Sequence, residues 1–142
     1  MTAALALLLF AGVGAIAVVH ALWGMGSHWP EANEEALVRG VVGDGRRRMP
    51  PPWQCFAVAA VLALVALWPW YVLGRGSEPV VLTGTFAIAG VFVARGWAGY
   101  SPRWRGHFSD EPFATRDKRY YSPYCLLFGV GYLALLAGEM ER

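Results

Sequence analysis

The sequence has 142 residues, of which 56% are hydrophobic and only 15% are charged. Soluble domains carry about 25% charged residues, so this composition excludes an ordinary soluble domain and indicates a chain that lies in lipid. The 12 Lys and Arg nearly balance the 10 Asp and Glu, and with a net charge of +2 we expect no nucleic-acid partner.

Four segments are candidates for membrane-spanning helices, because about 20 mostly apolar residues are needed to cross the hydrocarbon core of a bilayer. The first has no charged residue between Thr2 and Gly24. It is longer than the apolar region of a secretory signal and no basic residue precedes it, so we predict a retained helix. The predicted helices are 2–24, 53–73, 80–100 and 122–138. Since no composition shift divides the chain, we predict one domain over 1–142, an all-α integral membrane four-helix bundle.

A long polar segment, 25–52, follows the first predicted helix. Within it, residues 31–42 have an amphipathic pattern that predicts a short interfacial helix, and a solvated connector is the alternative. Three prolines at 50–52 then mark the start of the second helix. A basic cluster just before that helix is expected to contact anionic lipid headgroups. Its members are Arg46, Arg47 and Arg48.

The second and third predicted helices are separated only by residues 74–79, where Gly and Pro indicate a tight turn. These two helices are therefore predicted to be antiparallel neighbours in a hairpin. A second long polar segment, 101–121, is predicted to be a loop before the fourth helix.

The distribution of basic residues predicts the orientation, because Lys and Arg that flank membrane spans are retained in the cytoplasm. The two long segments carry nine of them, whereas the opposite side carries Arg75 and Arg142. We therefore predict a multi-pass protein of the inner cell membrane with both termini outside the cytoplasm.

Polar residues at membrane depth gather at the predicted cytoplasmic end, and the outer half offers almost none. Ionisable residues inside a membrane are functional candidates, so we predict an inward-facing polar vestibule. The candidate cluster consists of His20, Arg95, Asp117, Tyr121, Ser122 and Cys125.

Arg95 lies about 7 Å below Tyr100 along its predicted helix, and its side chain tilts toward the helix N-terminus, deeper into the bilayer. We therefore predict that it pairs with Asp117, directly or through a tyrosine hydroxyl, which ties the polar segment over the mouth of the bundle. The alternative is an Arg that extends to the headgroups.

His20 shares a helix face with the small residues Ala17 and Gly24, so we expect it to point into the bundle. Its role is an interhelical hydrogen bond or, alternatively, that of a proton shuttle, a general base or a metal ligand. A metal requires further ligands, and because the other histidines lie in loops we predict no metal site.

The two cysteines, Cys55 and Cys125, fit neither a disulfide framework nor a zinc site. The predicted topology places both at the cytoplasmic level, where we expect reduced thiols. No phosphate-binding loop, dinucleotide fingerprint, nucleophile elbow or zinc-protease motif is present, so no cofactor is expected.

Three segments, 20–24, 95–100 and 113–126 (FATRDKRYYSPYCL), resemble the domain of unknown function 3995 family. The last segment is the distinctive one, although Tyr124 stands where the family usually has an aliphatic residue. Ser122 and Pro123 also predict a helix start there, with Ser as the cap. The resemblance implies a small bacterial membrane protein with four helices, and it implies no known activity.

Three classes of function remain open. We favour a non-catalytic membrane protein that binds a lipid or small molecule or serves as an accessory subunit. The second is a membrane enzyme that acts on a lipid or isoprenoid at the cytoplasmic leaflet, with His20 or Asp117 as acid or base and Arg95 on the head group. The third is a proton-coupled carrier or channel subunit. Membrane lipids are the expected partners, together with a second membrane protein or another copy of the chain.

Overall fold

The computed structural model describes residues 1–76 and 78–141, which form seven α-helices and one π-helical turn, with no β-strand among them. The elements in chain order are α1 (Thr2–Gly24), α2 (Glu34–Val41), α3 (Pro52–Val72), α4 (Pro79–Ala98), α5 (Pro102–His107), α6 (Phe113–Arg116), the π-turn (Asp117–Tyr121) and α7 (Ser122–Met140).

Four helices are long and apolar enough to cross a membrane, namely α1, α3, α4 and the continuous helix Phe113–Met140. The prediction of an all-α bundle with four membrane-spanning helices is therefore confirmed. The first three predicted spans agree with α1, α3 and α4 to within two residues at each end.

The main difference from the predicted elements lies in residues 101–121, which were predicted to be a loop and are largely helical. Ser122 begins α7 but does not cap it, since the π-turn directly precedes it and its own backbone is already helical, with φ −64° and ψ −46°. The predicted capping role of Ser122 is wrong. Ser101 instead caps α5 by accepting a hydrogen bond from the Trp104 backbone N–H at 3.2 Å.

The bundle is built from two helix pairs. Helix α1 packs mainly against α3 and α4 mainly against α7, and contacts between α1 and α7 join the pairs. The shared core includes Leu9, Val13 and Tyr132, whose hydroxyl donates to the Val65 carbonyl at 2.7 Å.

The predicted hairpin of α3 and α4 is only partly present, because each of these helices has its main partner elsewhere. Near the turn that connects them, Trp68 Nε1 donates to Thr85 Oγ1 at 3.0 Å. Ser77 in this turn lies outside the described residues.

We call the end of the bundle where α1 and α4 end and α3 and α7 begin the linker end, and the opposite end the terminal end. The terminal end was predicted to lack polar groups, and this is wrong. Glu139 is 9% exposed and accepts a hydrogen bond from the Gly74 N–H at 2.7 Å, and Thr2 is buried nearby. The fourth helix was predicted to end at residue 138, just before Glu139, so this carboxylate was not among the predicted polar groups.

The predicted amphipathic helix in the first polar segment is α2, which is shorter than expected. Asn33 is extended, with φ −157° and ψ 172°, and its side chain accepts a hydrogen bond from the Ala36 N–H at 2.9 Å. This cap fixes the helix start three residues after Glu31. Leu37 and Val38 are buried, so this segment is a packed helix rather than a solvated connector.

Candidate functional site

A buried carboxylate organises the linker end. Asp117 is 1% exposed, and its Oδ1 accepts hydrogen bonds from Arg95 Nη2 at 2.7 Å and Ser122 Oγ at 3.3 Å. Its Oδ2 accepts from Trp104 Nε1 at 3.0 Å. The predicted pair of Arg95 and Asp117 is confirmed, and it is direct. We call Arg95, Trp104, Asp117 and Ser122 the Arg95 clamp.

Arg95 makes three kinds of contact in this clamp. Besides its bond to Asp117, its Nη1 donates to Ser122 Oγ at 3.4 Å. The guanidinium carbon lies 4.4 Å from the centre of the Trp104 ring, which is a cation–π arrangement. The side chain is 30% exposed, so its charge is largely enclosed between α4, α5 and the π-turn.

The π-turn brings Asp117 and Ser122 to the same side of the helix. Residues five apart in an α-helix point about 140° away from each other, whereas the wider π-turn brings them nearly into line. Asp117 begins the π-turn and Ser122 follows it directly. The extra residue therefore allows both side chains to meet Arg95.

Gly96 in the last turn of α4 and Gly99, directly after the helix, allow this end of α4 to approach the π-turn closely. A Cβ on Gly99 would overlap Ser122 Oγ and would lie 2.9 Å from Asp117 Oδ2. A Cβ on Gly96 would lie 2.8 Å from the Ser122 carbonyl oxygen. Any larger residue at Gly99 therefore displaces the clamp.

The two linkers, 25–51 and 99–121, bond to each other beside the clamp, and we call them the linker layer. Tyr121 donates its hydroxyl to the Gly40 carbonyl at 3.0 Å. Arg116 Nη1 lies 2.5 Å from Glu31 Oε1. The predicted cluster member Tyr121 therefore joins the linkers and is not among the four clamp residues.

The basic cluster of the first linker is partly paired within the protein. Arg46 Nη2 lies 2.6 Å from Asp44 Oδ2, and this hydrogen-bonded guanidinium lowers the pKa of the Asp44 carboxyl. Arg47 and Arg48 are exposed. Two of the three predicted headgroup contacts are thus on open side chains.

His20 lies apart from the clamp. It lines a cavity of about 180 Å³ between α1, α3 and the first linker, and Cys55 lines the same cavity. Neither Arg95 nor Asp117 is among the residues that line it. The six residues of the predicted cluster therefore do not surround one vestibule.

The cysteines are both free, with Cys55 buried and Cys125 half-buried. Cys125 follows Ser122 in the first turn of α7. Within residues 1–76 and 78–141, no group of three or more His, Cys, Asp or Glu side chains is placed to hold a metal ion.

A wide groove of about 620 Å³ lies on the other side of the clamp, along α5. Trp104 forms part of it, and Phe108 packs on Trp104 with ring centres 4.2 Å apart. Arg103 and His107, both exposed, line it together with Ser101, whose hydroxyl caps α5.

Sequence reasoning did not assign Trp104 to the candidate site, because an aromatic residue near a membrane interface is expected in the aromatic belt. Its indole bond to Asp117 depends on the fold of α5, which was predicted to be a loop. No spacing in the sequence indicates this contact.

A family model described as "Protein of unknown function (DUF3995)" matches residues 12–132. This range contains the Arg95 clamp, the linker layer and the His20 cavity. No curated protein and no solved structure matches the chain.

Proposed function

The chain belongs to the DUF3995 family of proteins of unknown function, and on this premise we propose that it is a non-catalytic membrane protein that binds anionic phospholipid in the groove along α5. The observation that carries the proposal is the closed hydrogen bonding of Asp117, whose two carboxylate oxygens accept three bonds. A carboxylate that is held by three donors and is only 1% exposed fixes structure, because it has almost no open surface with which to meet a substrate.

The clamp has a direct consequence for the groove. Since Trp104 donates to Asp117 and packs against Arg95, the short helix α5 is held at the end of α4. This position directs Arg103 and His107 into the groove. Among the described residues Arg103 has no acidic partner, so its guanidinium is available to a phosphate.

Aromatic side chains support a position of the groove at the level of lipid headgroups. Trp97 is 73% exposed at the end of α4, and Tyr100 is 42% exposed beside it. Such amphipathic rings prefer the membrane interface. The excess of basic residues in the linkers supports an orientation in which this interface is the cytoplasmic leaflet, which is rich in anionic lipid.

The two alternative functions receive less support. An enzyme that uses His20, Arg95 and Asp117 together requires these groups to meet, and His20 lines a different cavity.

A proton-coupled carrier requires a polar path through the bundle. The buried hydroxyls of Thr85 and Tyr132 bond instead to Trp68 and to the Val65 backbone, within an apolar core.

The proposal is tested by native mass spectrometry of the detergent-solubilised protein with phosphatidylglycerol or phosphatidylcholine. We expect phosphatidylglycerol to bind more tightly. Arg103→Gln should weaken its binding about fivefold, because one basic residue near an anionic headgroup contributes about 1 kcal/mol.

Arg75→Gln is the matched control, since Arg75 is an exposed arginine at the terminal end of the bundle. This substitution should leave the preference for phosphatidylglycerol over phosphatidylcholine unchanged. Equal binding of the two lipids by the wild-type protein, or equal effects of the two substitutions, would overturn the proposal.

A further inference from the structure

The cavity beside His20 has a defined polar group on an apolar wall. His20 Nδ1 lies 2.9 Å from the Ile16 carbonyl oxygen. A carbonyl only accepts hydrogen bonds, so Nδ1 carries the proton and Nε2 of the neutral ring presents a lone pair. No hydrogen-bond partner of Nε2 occurs within the part of the chain that the structure describes.

The walls of the cavity are held in place by their own hydrogen bonds. Trp23 Nε1 donates to the Trp29 carbonyl at 2.8 Å, which fixes the indole ring. The Met49 N–H donates to Glu34 Oε1 at 2.9 Å, which fixes the first linker where it covers the cavity. The site is therefore formed before any ligand enters, which reduces the entropy cost of binding.

The lining excludes charged ligands. Among the residues that the structure describes, no Asp, Glu, Lys or Arg lines the cavity, and its polar side chains are His20, Gln54 and Cys55. A phosphate, carboxylate or ammonium group would lose its hydration here without gaining an opposite charge. The ligand must be neutral, and it must carry a hydroxyl or N–H to donate to His20 Nε2.

The size and composition of the walls indicate a single aromatic ring. A cavity of about 150 Å³ in another protein binds benzene, and this cavity measures about 180 Å³. Trp23 and Met49 favour contact with an aromatic ring, because indole and thioether groups both pack well on ring faces and edges. The rest of the apolar surface consists of Val41, Val42, Pro50 and Val58.

From these observations we propose that the cavity bounded by His20, Trp23, Met49 and Gln54 is a binding site for a small neutral phenol, either free or as the ring of a hydroquinone. The phenolic hydroxyl donates to His20 Nε2 and the ring lies against Trp23. The proposal goes beyond lipid binding at the α5 groove and does not depend on it, because no described residue lines both sites.

The experiment is fluorine NMR of the detergent-solubilised protein with para-fluorophenol, and with fluorobenzene as the probe that lacks the hydroxyl. We expect the wild-type protein to bind para-fluorophenol about fivefold more tightly than fluorobenzene, because one net hydrogen bond contributes about 1 kcal/mol. His20→Phe retains a ring of similar size but removes the acceptor, and should bring the ratio close to one. His28→Phe, at an exposed histidine of the first linker, should leave the ratio unchanged.

A second variant keeps the test valid if His20→Phe fails to fold. Val42→Phe fills the cavity while His20 remains, and should weaken the binding of both probes. Comparison with this variant in the same detergent also removes the contribution of probe dissolved in micelles. Equal affinity of the two probes for the wild-type protein, or no loss with Val42→Phe, would overturn the proposal.

Displacement of para-fluorophenol identifies the source of the ring. Unsubstituted hydroquinone and a prenylated hydroquinone are added to protein in lipid nanodiscs. Displacement by either supports the site, and the compound that acts at the lower concentration shows whether the ring arrives from water or from the bilayer. Displacement by neither would contradict the hydroquinone assignment and the phenol site with it.

Discussion

At the residue scale, Asp117 and Arg95 form an ion pair whose cost of burial is offset by supporting hydrogen bonds. Three donors surround the carboxylate, and an indole ring covers the guanidinium. An isolated buried charge is strongly unfavourable, and a pair with complete hydrogen bonding avoids this penalty. The pair therefore fixes the geometry of the linker end more than it adds net stability.

Loss of one partner should consequently cost more than loss of both. We expect Arg95→Met or Asp117→Asn to destabilise the protein by about 2–3 kcal/mol, less than for a fully buried pair because Arg95 retains partial exposure. The double variant should lie closer to the wild-type protein than the sum of the two losses. Thermal unfolding in detergent measures this cycle, and additive losses would show that the pair is not coupled.

The exposed pair of Arg46 and Asp44 provides the control for that cycle. Its members lie in the first linker and are open to solvent on the Arg side. Exposed pairs contribute little, so Asp44→Asn should change the unfolding temperature only slightly.

Substitution of Gly99 gives a second prediction for the stability of the Arg95 clamp. Gly99→Ala places a methyl group onto Ser122 Oγ and should lower the unfolding temperature by several degrees. Gly90→Ala, within the preceding helix α4, is the matched control, since nothing lies within 4 Å of its added Cβ. This control should be neutral or stabilising because Ala favours helix. Similar effects of the two substitutions would contradict the close approach of α4 to α7.

The residue scale also shows what sequence reasoning can supply. The tilt of the Arg95 side chain was enough to predict an internal acidic partner, and Asp117 is that partner. Trp104 and the orientation of Ser122 were not predictable, because both depend on α5 and on the π-turn.

At the element scale, the helix bounds were predictable and the helix partners were not. Buried positions of the long helices are often small, as with Ala6, Ala17 and Ala66, while larger residues such as Leu8 and Leu64 face outward. In lipid, both faces of a helix are apolar, so hydrophobic periodicity does not identify the face that packs. The short turn between α3 and α4 therefore predicted that these helices are neighbours. It did not identify α1 and α7 as their main packing partners.

The π-turn gives a prediction at this scale. Deletion of Lys118, which is exposed, removes the extra residue and should restore regular α-helix. Asp117 and Ser122 then lie four residues apart, about 40° around a regular α-helix, and stay on the same face. We therefore expect the Arg95 clamp to be retained and the loss of stability to be much smaller than that of Asp117→Asn. Lys118→Ala keeps the length and should have little effect. Thermal unfolding of the two variants in detergent measures both effects, and a loss for the deletion variant as large as that of Asp117→Asn would contradict this expectation.

At the scale of the whole molecule, the orientation rests on charge alone. The linkers hold most of the basic residues, and they meet at one end of the bundle. One of the two basic residues assigned to the opposite side, Arg142, lies outside the described residues. The proposed lipid site and the proposed orientation therefore concern the same face of the membrane.

Two reporter fusions test this orientation. A reporter that is active only in the cytoplasm should be inactive at the C-terminus and active when inserted after Gly45, an exposed glycine of the first linker with nothing within 4 Å of an added Cβ. The two fusions control for each other, because expression affects both in the same way. The reverse pattern would place the linkers outside and reject binding to the cytoplasmic leaflet.

The bonds between the linkers also set an order of events during synthesis. Glu31 and Arg116 are 85 residues apart in the chain, and a similar distance along the chain separates Gly40 from Tyr121. At about 5–20 residues per second, a ribosome needs about 4–17 s to deliver Arg116 after Glu31. During that interval α1 and α3 can enter the bilayer and pair, while the face of α2 that carries Leu37 stays uncovered. Closure of the linkers is thus a late event of biogenesis, and a nascent chain that stalls before its last helix displays an apolar segment that quality-control proteases can bind.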